Sequence, residues 1–131
     1  MVIDASALSA IILKEEGWEE LLDASDFFLS LELAVKEASN AIWKALVMGR
    51  ISREEAKECY SILKELVSGG VLVLKDQLKY LDDAMGLAIS RNITVYDALY
   101  IVMALKEGLC LLTLDQKQAQ VARAEGVKVL P

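Results

Sequence analysis

Four acidic residues of this 131-residue chain stand where carboxylates could do chemistry together. Asp4 directly follows the apolar pair "VI", and Asp115 directly follows "CLLTL" at 110–114. Asp97 lies near the start of the apolar stretch "TVYDALYIVMA" at 94–104, and Glu37 lies within "LAVKEASNAIWKAL" at 33–46. At about 100° per residue, Glu37 falls at the edge of the helical face made by Ala34, Ala38, Ala41 and Ala45. Asp97 falls likewise at the edge of the face made by Ala98, Ile101, Val102 and Leu105. Carboxylates so arranged could hold one or two Mg²⁺ or Mn²⁺ ions, hard cations that take oxygen ligands. Without a cation their mutual repulsion is costly. Each acid also has a simpler reading. Asp97 sits three residues after Thr94 in capping-box spacing, Asp4 and Asp115 could cap the helices behind them, and Glu37 could be one more solvated acid.

Composition narrows the chemistry further. The chain has no histidine, which excludes histidine acid–base catalysis, histidine-containing triads and zinc sites that need imidazole. Hydrolysis would have to use carboxylates, hydroxyls, lysines or bound metal. The net charge of −6 argues against coating nucleic acid by global attraction, though not against an acidic, metal-loaded cleft with a local basic rim. The two cysteines, Cys59 and Cys110, match no disulfide framework or metal-knuckle spacing and read as buried thiols of a reducing compartment. The opening "MVIDASAL" resembles no leader, and no charge-free run approaches the roughly 18 residues of a membrane span, so a cytoplasmic, non-membrane protein is expected. A hydrophobic content of 55% with a single proline predicts one folded domain over 1–131, with apolar surface left for an oligomer interface.

The elements that must carry these acids follow from the pattern. Short, non-alternating apolar runs near 2–4, 27–30, 71–74, 110–114 and 127–130 predict buried strands. The stretch after Asp4 reads as helix, continued or restarted after Gly17. Ser30 is placed to cap a helix over about 31–48, which Gly49 ends. Ser52 and Glu55 then open another, with Ala56, Cys59, Tyr60, Leu63 and Leu66 as its inner stripe. Leu78, Leu81, Met85 and Ala88 mark a further helix, Tyr96 to Lys106 another, and 116–125 the last. Strands alternating with helices predict an α/β fold with a parallel sheet covered on both faces. If the strands before Asp4 and Asp115 are central neighbours, both carboxylates face one mouth of that sheet.

The segments "VIDASAL", "LAVKEASNAIWKAL", "TVYDALYIVMAL" and "LCLLTLD", whose acids are 33, 60 and 18 residues apart, resemble in order and spacing the signature segments of the PIN domain. The likeness covers nearly the whole chain and is greatest to the VapC-type ribonuclease toxins of prokaryotic toxin–antitoxin pairs. It implies a three-layer α/β/α sandwich about a parallel sheet of four or five strands. It also implies a Mg²⁺- or Mn²⁺-dependent endoribonuclease whose metal-binding, catalytic acids are Asp4, Glu37, Asp97 and Asp115. Ser6 and Thr113 occupy supporting hydroxyl positions. Metal-activated water would leave a 5′-phosphate and a 3′-hydroxyl. Some members carry another acid just after the fourth, where this chain has Gln116, Lys117 and Gln118.

An RNA substrate, a homodimer or tetramer formed through the two central helices, and a cognate antitoxin are implied in the same way. Trp18 and Trp43 are candidates for such contacts, with core packing as the alternative. Lys36, Lys44, Lys75, Lys79, Arg91 and Lys117 are candidates for phosphate contacts, which position a backbone without reading its sequence. Tyr96 and Tyr100, flanking Asp97, read as packing residues first and as base-stacking surfaces second. The competing expectations are a PIN nuclease of RNA processing or structured DNA without an antitoxin, a catalytically idle PIN-fold binding module, and another metal-binding α/β domain such as a receiver or phosphatase. None of the four acids is missing, as an idle module would allow, and "VLVLKD" imitates a receiver poorly.

Overall fold

The chain enters its own core at once: β1 (Val2–Ile3) is buried at both residues. The computed structural model, which covers residues 1–131, continues through α1 (Ala5–Ile12), α2 (Trp18–Leu22), β2 (Phe28–Leu31), α3 (Glu32–Val47) and α4 (Arg53–Ser68). It then forms β3 (Leu72–Lys75), α5 (Leu78–Arg91), α6 (Val95–Glu107), β4 (Leu111–Leu112), α7 (Gln116–Ala124) and β5 (Val129–Leu130). The sheet order is β3-β2-β1-β4-β5, and every pairing is parallel. The chain therefore steps from β1 to β2 and β3 on one side, then crosses back to β4 and β5 on the other.

Right-handed crossovers in opposite directions place the helices of the two halves on opposite faces. Accordingly α1, α3 and α4 pack on one another, while α6 packs on α5 and α7. The result is the three-layer α/β/α sandwich with a five-stranded parallel sheet. β1 and β4 are neighbours, with Val2 opposite Leu111 and Ile3 opposite Leu112. The strand order reverses between them, which is where open parallel sheets form a crevice beyond their carboxyl ends.

Local chemistry sets the boundaries. Gly17, at φ +82°, breaks the chain between α1 and α2, so the helical pattern restarts there. The capping box at α4 is fully formed, with the Glu55 amide donating to Ser52 Oγ and the Ser52 amide to Glu55 Oε1 (both 3.1 Å). Helix α6 is buried at every residue from Ala98 to Ala104, because it lies between the sheet and its two flanking helices. That position accounts for so apolar a helix.

Several sequence expectations are corrected. Ser30 does not cap α3. Leu31 stands at the cap, and the buried Ser30 hydroxyl instead donates to the Ile3 carbonyl across the sheet (2.8 Å). β4 is only two residues long, with Thr113 and Leu114 leading out of it, and Phe27 precedes β2 as an exposed residue. In α5 the buried face is set by Tyr80 and Ala84, while Leu78 and Met85 face outward, because the Tyr80 hydroxyl reaches the end of α6. Tyr60 is exposed rather than part of the inner stripe of α4. Cys59 and Cys110 are half-buried, not buried.

Candidate functional site: an acidic cluster at the switch point

Asp4 ends β1 and caps α1, and it is 2% exposed. Its Oδ1 accepts from the Ala7 amide (3.0 Å) and the Ser6 hydroxyl (2.7 Å), and its Oδ2 accepts from the Thr113 hydroxyl (2.6 Å). Three of roughly four lone-pair directions are thus used, and one is left. Burial pushes the Asp4 carboxyl above its ordinary 3.8. The Ala7, Thr113 and Ser6 bonds pull the other way, and the Asp115 charge adds to the rise.

Ser6 and Thr113 tie the two central strands together at this acid. Ser6 Oγ accepts from the Leu114 amide (2.9 Å), and Thr113 Oγ1 accepts from the Asp115 amide (3.0 Å). Both hydroxyl protons go to Asp4, so the 3.4 Å contact between the two oxygens is a consequence of sharing one carboxylate. The chain leaving β4 is thereby pinned to the chain leaving β1. Asp115 then caps α7 through Oδ1, which accepts from the Gln118 amide (3.0 Å).

Asp97 occupies the first turn of α6. The Asp97 amide donates to Thr94 Oγ1 (3.2 Å), and no return bond reaches the Thr94 amide, so only half of a capping box forms. The carboxylate is left without a capping duty. Partial burial and then the Asp115 charge push its pKa above 3.8, while Thr94 and the Lys117 charge oppose them. Glu37, on α3 in the opposite layer, is raised above 4.5 by desolvation, then by Asp4 and Asp97, and no hydrogen bond holds its carboxylate. The four acids come from both faces and from two strand ends to one mouth, where each feels at least one other.

As the side chains stand, no three acidic or cysteine groups converge closely enough to form a ready-made metal cage. The donor set nevertheless fits a hard divalent cation. It is all oxygen, Asp4, Glu37 and Asp97 are each raised in part by the charge of a neighbouring acid, and the proton of a buried hydroxyl, Tyr100 Oη, has no acceptor.

The six basic candidates divide. Lys117 sits close enough to steady the Asp97 charge. Lys36 and Lys44 are exposed on α3, one and seven residues from Glu37. Lys75 ends β3 in a shallow recess with Glu32, Asp76 and Gln77. Lys79 is instead paired with Glu107 (2.9 Å), and Arg91 with Glu125 (2.7 Å). Those glutamates each lie ten residues, about 15 Å of helix, beyond Asp97 and Asp115. The structure therefore gives Lys79 and Arg91 work far from the acids.

Tyr96 is half exposed, against the packing expectation, whereas Tyr100 is buried. Trp43 is exposed near the end of α3, and Trp18 is half-buried against the core. Sequence reading gave no role to Gln118. It is buried, and its Nε2 donates to the Asp97 carbonyl (3.3 Å), holding α7 against the first turn of α6. A glutamine three residues after a cap, on the inner face of α7, was the available signal.

The chain as a whole is similar to known proteins. The PIN domain description matches residues 1–124. Ribonuclease VapC3 of Pyrobaculum aerophilum is 34% identical over 123 residues, 92% of this chain and 92% of its own length. Exonuclease VapC9 of the same organism is 34% identical over 116 residues, 88% of this chain and 80% of its own. The crystal structure of PAE2754 from P. aerophilum superposes with a TM-score of 0.70 at 28% identity, covering 98% of this chain and 87% of that one.

Proposed function

The chain belongs to the PIN domain family, and from that premise we propose that it is a metal-dependent endoribonuclease, the toxin of a type II toxin–antitoxin pair. Membership supports a nuclease-type activity. The observation that supports the finer reading is the buried Asp4 carboxylate, held by two hydroxyls at the switch point of the sheet and close enough to Asp115 and Glu37 for their charges to act on one another. A fold gains nothing by gathering these charges unless something positive enters among them.

Asp4, Glu37, Asp97 and Asp115 would hold one or two Mg²⁺ or Mn²⁺ ions. When bound, such ions supply an activated water for in-line attack at phosphorus and offset charge on the leaving oxygen, giving 5′-phosphate and 3′-hydroxyl ends. Ser6 and Thr113 favour the charged form of Asp4 against its burial and aim it, and through the Leu114 and Asp115 amides they fix the chain that carries the fourth acid. Lys117, with Lys36 and Lys44 on the other wall, offers phosphate contacts. Trp43, Val47, Met48 and Tyr60 leave an apolar surface on α3 and α4 suited to a homodimer or an antitoxin.

A second reading has its own support, since one relative is named an exonuclease. Both are tested by incubating a mixed pool of single-stranded and structured RNA, with a matched DNA pool, in Mg²⁺, Mn²⁺ or EDTA, using wild type and Asp4→Asn. Internal cuts in RNA that need metal and vanish in Asp4→Asn are expected. Loss of end nucleotides only, or cleavage of DNA alone, would replace this reading with the exonuclease or DNA alternative. Metal-independent cutting, or no metal binding by the folded wild type, would reject it.

A further inference from the structure

The phenol oxygen of Tyr100 is buried, and its proton finds no acceptor. Few buried polar atoms in a native fold are left so, and each asks for a reason. Tyr100 lies one turn after Asp97 on the same face of α6. The charged groups that act on its hydroxyl are Glu37 first, then Asp4 and Asp97. The Ala5 amide acts on the phenol oxygen as a donor and pulls against these charges, so it is the phenolic proton that lacks an acceptor.

The acceptor follows by elimination. Asp4 already takes three hydrogen bonds, from Ser6, Ala7 and Thr113. Asp97 acts on the hydroxyl more weakly than the other two acids. Glu37 acts on it most strongly, makes no hydrogen bond of its own, and sits on a long, exposed side chain. Asp4 and Asp115 are held as helix caps, and Thr94 and Lys117 steady Asp97, whereas Glu37 has no such partner.

Resting on the nuclease reading above, we propose that Tyr100 is a positioning residue whose hydroxyl donates to the Glu37 carboxylate and fixes it when the acids close on a divalent cation. As the side chains stand, the Glu37 carboxylate makes no hydrogen bond and the Tyr100 proton has no acceptor. Cation binding supplies the attraction that brings Glu37 in, and the waiting donor then selects one orientation of its carboxylate. Partners of ligands are known to matter at about 10- to 100-fold in metal affinity.

The test is a Mn²⁺ titration, read by calorimetry and by the metal-induced rise in unfolding temperature, on wild type, Tyr100→Phe, Glu37→Gln and the double variant. Tyr100→Phe is expected to be about as stable as wild type in EDTA, because the hydroxyl proton it removes has no acceptor. Its Mn²⁺ affinity is expected to fall about 10-fold or more. In the Glu37→Gln background the same change is expected to have no further effect, since its target is gone. Unchanged Mn²⁺ affinity in Tyr100→Phe would overturn the proposal and leave the nuclease reading standing. So would an equal loss in the Glu37→Gln background, or a Tyr100→Phe protein that unfolds readily in EDTA, which would show the hydroxyl serving the core. Failure of the wild type itself to bind Mn²⁺ would instead reject the nuclease reading, and this proposal with it.

Discussion

Asp97 and Asp4 show how one carboxylate can be read two ways from sequence and only one way, or both, in the fold. Asp4 is a genuine helix cap and also the most buried member of the acidic cluster. Asp97 is not a cap: Thr94 does that work, and the Asp97 carboxylate is left to feel the charges of Asp115 and Lys117. Asp97→Asn is therefore expected to leave the unfolding temperature in EDTA unchanged or slightly raised, since it removes charge from a repulsive group. Metal-dependent cleavage is expected to drop by about 10²-fold or more, beyond what loss of a ligand's partner costs. Rates over a Mn²⁺ series check this, and an Asp97→Asn enzyme with wild-type turnover would show that Asp97 holds no metal.

At the scale of elements, the site depends on where helices stop as much as on where they begin. α6 must run from the mouth to the far edge of the sheet and then release the chain into β4 within three residues. Gly108 does this at φ +64°, and a side chain placed there would meet no atom within 4 Å. Substitution is thus a backbone matter alone. Gly108→Ala is expected to cost about 1–2 kcal/mol of stability by urea unfolding, the penalty of a left-handed alanine. Because the acids lie at the other end of α6 and β4, the metal dependence of cleavage should not change. A cost near zero would mean that α6 ends differently in solution.

The other end of the same helix was harder to read. The ties that align α6, α7 and the strand ends are Gln118 to the Asp97 carbonyl, Thr113 and Ser6 to Asp4, and Ser30 to Ile3. Ser6 and Thr113 came into view only through the family resemblance, which marks hydroxyl positions beside the first and last acids. Ser30 and Gln118 were not legible, since their partners lie 27 and 21 residues away.

For the whole molecule, three raised carboxyls make stability depend on pH in a definite direction. The unfolded chain gives up these protons near the ordinary values of 3.8 and 4.5, whereas folded Asp4, Glu37 and Asp97 hold theirs to higher pH. Between those limits the folded state binds more protons, so stability falls as pH rises. Glu107, lowered by Tyr80 and Lys79, works the opposite way, but only below 4.5, where its stabilisation is lost as pH falls. In EDTA the unfolding temperature is therefore expected to rise when pH is lowered from 7 to about 5. With saturating Mn²⁺ the trend should reverse, because the ion needs charged ligands. A flat EDTA profile alongside a flat Mn²⁺ profile would indicate acids that do not interact.

Sequence alone determined the alternation of strands and helices, the parallel character of the sheet, and the four acids worth watching. Those properties are local: a two-residue buried strand, a cap three residues from its partner, a run of alanines on one helical face. Two groups escaped it for a common physical reason. The outward turn of Leu78 and Met85 follows from Tyr80 reaching Glu107, and the retirement of Lys79 and Arg91 from the mouth follows from ion pairs closed across other helices. The unpaired Tyr100 hydroxyl likewise exists only where α6, β1 and α3 meet. Spacing along a chain says which side chains can share an element, but which charges and hydroxyls find partners is settled by the packing of one element on another.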